Sequence, residues 1–243
     1  MVNKYLQKIK NFLEEDKVYK IAFLGDSITS SEDIRPNYVD IINYILKEEL
    51  TKITGNWELP YWKLKIINSG LNGATSKLLL DTLKENILDY NPHLAIAMVG
   101  KNDPYLGISS KSFSRNIEKV LSRMKTKNID IVICSPNASL RTSFNEKIEP
   151  YLKEIKYVSN KLRILYVDIF KEFQAFNLKQ LFTVISPGNK ELGIGRWETD
   201  PIHPNTLGHA RIAQVILEKV FKIKFNIKKF FKDLEKMNAF YRY

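Results

Sequence analysis

Tyr19-Lys20-Ile21-Ala22-Phe23-Leu24 runs directly into Gly25-Asp26-Ser27-Ile28-Thr29. A short, almost continuously apolar run cut off by Gly-Asp-Ser predicts a strand covered on both faces, as parallel strands are. The pattern recurs at Leu64 to Asn68, His93 to Val99, Asp130 to Cys134 and Ile164 to Val167, each followed at once by Gly, Ser, Asn or Asp. Between these runs the apolar spacing turns helical, in Tyr38 to Leu50, Ser76 to Leu88, Ser112 to Met124, Asn145 to Leu162 and Thr206 to Val220. Strands alternating with helices predict an α/β fold, a three-layer α/β/α sandwich around a five-stranded parallel sheet with right-handed crossovers. Two segments break the rhythm, Ile53 to Trp62 and Thr183 to Thr199, and their length and Trp and Gly content make them candidates for loops that line a site.

Composition limits the remaining choices. The 243 residues are 44% hydrophobic and 27% charged, with 10 Gly and 9 Pro, which excludes fibrous and largely disordered chains and fits a single domain spanning residues 1–243. Cys134 is the only cysteine and lies in an apolar run, so it reads as a small core residue and points to no oxidising compartment. The N-terminal residues alternate charged and apolar groups, and the longest apolar run, Leu94 to Val99, is too short to cross a bilayer. The expectation is a soluble, cytoplasmic protein.

The formal charge is +11, but 30 of the 38 basic residues are Lys, which lacks the planar fork of Arg that dominates nucleic-acid recognition. Lys219 to Tyr243 carries eight basic and two acidic residues, so one end of the chain holds more than half of the excess. No nucleic-acid partner is expected. Residues 221–243 read as an appended basic amphipathic helix, with Ile227, Phe230, Phe231, Leu234 and Met237 on one side and Lys228, Lys229, Lys232 and Lys236 on the other. Such a helix can lie on an anionic membrane or dock its apolar stripe on the domain. Docking is favoured, because an exposed stripe of that size is a liability in a soluble protein.

Four segments carry the chemistry. Gly25-Asp26-Ser27 follows the first strand, Asn68-Ser69-Gly70-Leu71-Asn72-Gly73-Ala74-Thr75 the second and Gly100-Lys101-Asn102-Asp103 the third, while Asp200-Pro201-Ile202-His203 precedes the last helix of the sandwich. In an open parallel sheet the carboxyl ends of the strands share one edge, so topology alone delivers the first three to one crevice. Together they supply a hydroxyl, an imidazole with a carboxylate three residues before it, a glycine turn and a side-chain amide. These are the parts of acyl transfer. Ser27 is a weak nucleophile unless His203 takes its proton, and Asp200 can hold the imidazole in the tautomer that leaves one ring nitrogen free to accept. The N–H groups of Ser27 and Gly73 and the amide of Asn102 are candidate donors to the oxyanion, where losing one costs about 3 to 4 kcal/mol.

These segments, in this order, resemble the conserved blocks of the SGNH hydrolases, the GDSL-type lipase/acylhydrolase family. The family's block I serine falls on Ser27, its block II glycine on Gly73 with Gly70 as the alternative, its block III asparagine on Asn102, and its block V pair on Asp200 and His203. The resemblance covers about residues 20 to 220. It implies a flavodoxin-like fold with strand order 2-1-3-4-5 and hydrolysis of esters or thioesters through an acyl-serine, with no cofactor and no metal. The family often has Thr where Lys101 stands and Gly where Pro201 stands.

The expected substrate is a small-molecule ester with a small or medium acyl group, such as a carbohydrate O-acetyl ester; a lysophospholipid or a thioester would suit the same machinery. Trp57, Trp62 and Trp197, in the irregular segments, could stack on sugar rings. Two rival readings fit parts of the same sequence. Asp26, Asn102, Asp103, Asp200 and His203 form an oxygen-rich set suited to a metal-dependent phosphoesterase, although such sites usually recruit more histidines. The basic tail would suit a binding module without catalysis. His93 and His209 read as structural, and Asp26 and Asp103 as carboxylates that hydrogen-bond the backbone of their own turns.

Overall fold

The computed structural model describes residues 3–240, excepting the side chains of residues 237–240, so that Met237 of the predicted stripe lies outside the described part. Five parallel strands, β1 Tyr19–Gly25, β2 Leu64–Gly70, β3 Leu94–Met98, β4 Asp130–Cys134 and β5 Leu165–Val167, form one sheet in the order β2-β1-β3-β4-β5. Gly25 lies level with Gly70 and with Met98, Met98 with Cys134, and Cys134 with Val167, so all five carboxyl ends finish along one edge.

Alternate strand residues feed two separate cores. Ile21, Phe23, Leu94, Ile96 and Met98 face a layer built from α1 (Lys4–Glu14), α2 (Tyr38–Thr54), α8 (Ile169–Gln174) and α10 (Thr206–Ile216). Ala22, Leu24, Ala95 and Ala97 face α4 (Ser76–Asp81), α5 (Leu83–Asn86), α6 (Ser110–Thr126) and α7 (Thr142–Leu162), where Phe113, Ile117, Met124 and Ile155 fill the space left by the alanines. Each large apolar side chain buried in this way contributes roughly 1.5 to 3 kcal/mol. Burial on both faces explains why β1, β3 and β4 read as continuous apolar runs, whereas the edge strands β2 and β5 keep exposed positions such as Lys65, Asn68 and Leu165. The short helices α3 (Glu58–Lys63) and α9 (Leu178–Leu181) lie in connections.

Several elements depart from the sequence reading. The helix predicted from Ser76 to Leu88 is broken into α4, α5 and a 3₁₀ turn at Leu88–Tyr90. The break falls at Thr82, whose hydroxyl donates to the carbonyl of Leu78, the local competition that lets Thr interrupt a helix. Helix α1 has no counterpart in the predicted elements; Asn3 caps it by accepting from the N–H of Tyr5 and Leu6, and Leu6, Ile9 and Leu13 bury its apolar stripe.

The tail is not helical from residue 221. Lys222, at φ +60°, ends the preceding turn in a left-handed conformation, and Ile223 and Phe225 are buried in an irregular stretch before α11 (Ile227–Phe240) begins. Ile227 and Phe230 are buried, Phe231 and Leu234 pack against the same core, and Lys228, Lys229, Lys232 and Lys236 are exposed. Phe230 meets Tyr44 of α2 at 6.0 Å between ring centroids. Among the described residues no helix is long and apolar enough to cross a membrane.

Candidate active site

The turn after β1 is tighter than most side chains permit. A Cβ on Gly25 would lie 2.0 Å from Thr29 Oγ1 and 2.8 Å from the carbonyl of Met98. Asp26, buried, accepts from the N–H of Ile28 at 3.0 Å, while its carbonyl accepts from Thr29 and Ser30. This wraps the chain so that Ser27 is left partly accessible at the carboxyl edge of the sheet.

His203 reaches it from the other end of the sequence. Ser27 Oγ and His203 Nε2 are 2.8 Å apart, and His203 Nδ1 and Asp200 Oδ2 are 2.9 Å apart. Because an ionised carboxylate only accepts, Nδ1 carries the ring proton and Nε2 is free to take the hydrogen bond from Ser27. Asp200 Oδ1 accepts from the N–H groups of Ile202 and His203, at 2.8 and 3.0 Å, so the D-x-x-H loop closes on itself. Burial raises the pKa of Asp200, but its hydrogen bond from His203, the nearby imidazole and these two N–H donors outweigh that and hold it below the usual carboxylate range.

The second and third loops leave β2 and β3 level with the end of β1, at the same edge of the sheet. Gly73 has φ +71° and nothing within 4 Å of where a Cβ would sit, so its backbone conformation and not crowding calls for glycine. Among the described residues no acceptor takes the N–H of Gly73 or of Ser27. Gly70 differs on both counts. Its N–H donates to Asn68 Oδ1 at 3.0 Å, and a Cβ there would lie 2.2 Å from the N of Ser30. Gly70 therefore permits the close approach of β2 to the first turn, and of the two glycines only Gly73 has a free donor. Asn102 Nδ2 donates one hydrogen to the carbonyl of Ala74 at 3.0 Å, which fixes the amide and leaves its second hydrogen.

Asp103 serves a different purpose from the one its sequence position suggests. Its buried carboxylate reaches the loop after β2, accepting from the N–H of Ser76 at 3.1 Å and from its hydroxyl at 2.5 Å. It thereby clamps the start of α4, and with it the Gly73 turn, to the Asn102 loop. Among the described residues no three His, Cys, Asp or Glu side chains stand together as a ligand set. The carboxylates of the oxygen-rich group are each committed, Asp26 to Ile28, Asp103 to Ser76 and Asp200 to His203.

The other two histidines take no part in this hydrogen-bonded line. His93 lies at the amino edge of the sheet, where Nδ1 accepts from the N–H of Lys20 at 3.0 Å and the ring stacks on Tyr19. His209 is buried on α10, accepts from the N–H of Tyr38 and has its pKa pushed down to about 3 by burial, so it is uncharged near neutrality.

Of the two irregular segments only the second reaches the site. Residues 183–199 form a small hairpin-like loop, with bridges pairing Ile185 with Thr199 and Asn189 with Ile194. Together with Asp33, Ile34 and His203 they line a cleft of 330 Å³ whose walls include Val184, Ile185, Leu192 and Ile194. Arg141 braces the loop through Glu198 at 2.9 Å and the carbonyl of Gly193 at 3.0 Å. Trp197, 73% exposed, lies on this loop. Trp57 and Trp62 lie beside and on α3, which leads into the first residue of β2, so they stand at the opposite edge of the sheet from Ser27.

The sequence profile of the GDSL-like lipase/acylhydrolase family matches residues 23–211, a span from within β1 into α10 that takes in every loop described above. The chain belongs to this family. As a GDSL-like acylhydrolase it is an enzyme of ester hydrolysis. Its fold is similar to that of the acetyl xylan esterase AlAXEase, with 22% identity and a TM-score of 0.65 over 83% of this chain and 99% of the other. A catalytic mutant of Axe2, an acetylxylan esterase from Geobacillus stearothermophilus, is similar at 18% identity and a TM-score of 0.64, covering 84% and 94% of the two chains. LAE5, an α/β hydrolase from the metagenome of Lake Arreo, Spain, is similar at 19% and 0.66, covering 84% and 95%. No curated protein sequence matches this GDSL-like chain at a significant level.

Proposed function

We propose that this acylhydrolase cleaves short acyl esters, with O-acetyl groups on a carbohydrate as the substrate class, through an acyl enzyme on Ser27. The observation that carries the reading is the unbroken line from Ser27 Oγ through His203 to Asp200. In the first half-reaction Ser27 Oγ attacks the ester carbonyl carbon while His203 Nε2 takes the hydroxyl proton. The negative charge that develops on the carbonyl oxygen is met by the N–H groups of Ser27 and Gly73 and the free amide hydrogen of Asn102. Collapse breaks the bond to the alkoxy oxygen, and His203 returns its proton to that oxygen, releasing the alcohol. In the second half, water attacks the acyl-serine carbonyl with His203 as base, releasing the carboxylic acid and restoring the Ser27 hydroxyl. Asp200 stays ionised throughout and stabilises the imidazolium.

Two observations support a carbohydrate alcohol. The cleft beside His203, the group that must protonate the departing oxygen, has 330 Å³ of space, enough for a sugar ring. AlAXEase and Axe2 are described as acetyl xylan esterases, and Axe2 has catalytic mutants at a serine and at an aspartate and histidine three positions apart, the spacing of Asp200 and His203.

The test is a panel of p-nitrophenyl esters of increasing chain length together with acetylated xylo-oligosaccharides, assayed on wild type and Ser27→Ala. The expected result is highest kcat/KM on acetyl substrates and a fall of about 10⁴-fold or more in Ser27→Ala. A kcat/KM that climbs steadily with acyl length would replace the acetyl reading with a lipid-directed one, and turnover preserved in Ser27→Ala would remove the mechanism.

A further inference from the structure

The loop after β3 holds a side chain that the reaction just described does not use. Lys101 lies between Gly100 and Asn102 and is only 2% exposed. An ammonium ion removed this far from water needs hydrogen bonds and opposite charge. Its Nζ donates to the carbonyl of Asn137 and to Oγ of Ser139, each at 2.8 Å. Both acceptors belong to the buried loop between β4 and α7, where Asn145 holds Ser139 by accepting from its N–H and donating to its carbonyl. That loop is joined in turn to the segment carrying Asp200 and His203, because the N–H of Leu140 donates to the carbonyl of Pro201 at 2.8 Å. A line of contacts therefore runs from the Asn102 loop through Lys101 to the Asp200–His203 loop.

The charges point the same way. Both hydrogen-bond acceptors of Lys101 are neutral, and the negative groups facing it are the buried carboxylates of Asp26, next to Ser27, and Asp200. Burial outweighs the two carboxylates and pushes the Lys101 ammonium pKa down to about 7, and it outweighs the Ile28 N–H and Lys101 and pushes Asp26 up to about 6, so between these values both groups carry charge. His203 completes the charged or titratable set beside Ser27. Burial keeps the thiol of Cys134 and the phenol of Tyr38 neutral, and His209 is uncharged. A threonine at position 101 would be too short to reach the 135–140 loop and would bring no charge.

We propose that Lys101 is a positioning residue for the hydrolysis. It ties the Asn102 loop to the loop bearing Asp200 and His203, and its buried ammonium balances Asp26 and Asp200 beneath Ser27. The inference rests on the Ser27 mechanism proposed above.

Lys101→Met keeps the bulk and removes the charge, Lys101→Arg keeps the charge, and Ser139→Ala removes one tie while leaving the ammonium in place. With p-nitrophenyl acetate, Lys101→Met is expected to lower kcat at least tenfold with KM changed less than twofold. It should also move the acid limb of kcat/KM to higher pH by half a unit or more, since a site that has lost a cation favours the protonated imidazole. Lys101→Arg should leave that limb in place, and Ser139→Ala should lower kcat about threefold without moving it. A folded Lys101→Met with wild-type kcat and acid limb would overturn the proposal. Should Lys101→Met not fold, wild-type kcat in Ser139→Ala would overturn it instead. Ser27→Ala, assayed alongside, separates the two levels: turnover surviving there removes the mechanism itself, whereas its loss beside unaffected Lys101 and Ser139 variants removes only the role of Lys101.

Discussion

At the amino edge of the sheet His93 stacks on Tyr19 and its Nδ1 accepts from the Lys20 N–H, while Asp130 pairs with Lys8 at 2.7 Å in a half-exposed ion pair. At the carboxyl edge His203 stands between a hydroxyl and a carboxylate whose remaining oxygen is held by two backbone N–H groups. Both edges of the one sheet carry a histidine and an aspartate. What differs is that the ring nitrogen of His93 is spent on backbone, whereas Nε2 of His203 meets a side chain that can lose its proton. The amino edge uses its polar groups to close the structure, and the exposed pair there contributes on the order of 1 kcal/mol or less. At the carboxyl edge, among the described residues, the N–H groups of Ser27 and Gly73 and one amide hydrogen of Asn102 have no acceptor, an arrangement suited to charge that appears only during reaction.

Replacing one histidine at each edge gives the largest contrast. His203→Ala is expected to reduce kcat by about 10⁴-fold or more, and His93→Gln to leave it within twofold while lowering the melting temperature by a few degrees. Steady-state kinetics and thermal unfolding of both variants measure this, and comparable losses of kcat would erase the distinction between the edges.

A smaller effect sharpens the comparison within the layer of α1, α2, α8 and α10, where His209 is buried outside the hydrogen-bonded line of Ser27, His203 and Asp200. Its folded-state pKa, about 3, lies below the unfolded value of about 6.5. As the pH falls below 6.5 the unfolded chain binds a proton that the native state refuses, so the native state loses stability by about 1.4 kcal/mol per pH unit. Asp26, whose carboxyl is raised by burial, acts with the opposite sign as the pH falls through its raised value, so the slope is read as a difference. The unfolding free energy of His209→Gln relative to wild type should rise between pH 6.5 and 5 in urea titrations. A constant difference would mean that His209 is protonated in the native state.

Much of this architecture was legible in the chain. The central strands β1, β3 and β4 are plain in the sequence because burial on both faces leaves no polar alternation, and the D-x-x-H spacing of Asp200 and His203 is short enough for one loop to close on itself. Other features depend on distant partners and left no local trace. Nothing around Thr82 in sequence distinguishes a helix-breaking threonine from a tolerated one. Asp103 looks like a turn carboxylate until the fold brings Ser76 to it, 27 positions away. Nothing next to Lys101 in sequence marks it as buried, because the acceptors that make its burial tolerable lie 36 and 38 residues further on. The tryptophans look alike in sequence for a related reason: Trp57 and Trp197 both occupy irregular segments, but strand direction sends one to each edge of the sheet.

The most direct test of the central claim is the site of covalent capture. Wild-type enzyme treated with a fluorophosphonate should gain the mass of one adduct, map it to the peptide containing Ser27 and lose esterase activity in proportion to labelling, and His203→Ala should label far more slowly. Labelling at another residue in step with loss of activity, or full activity after stoichiometric labelling of Ser27, would contradict the account.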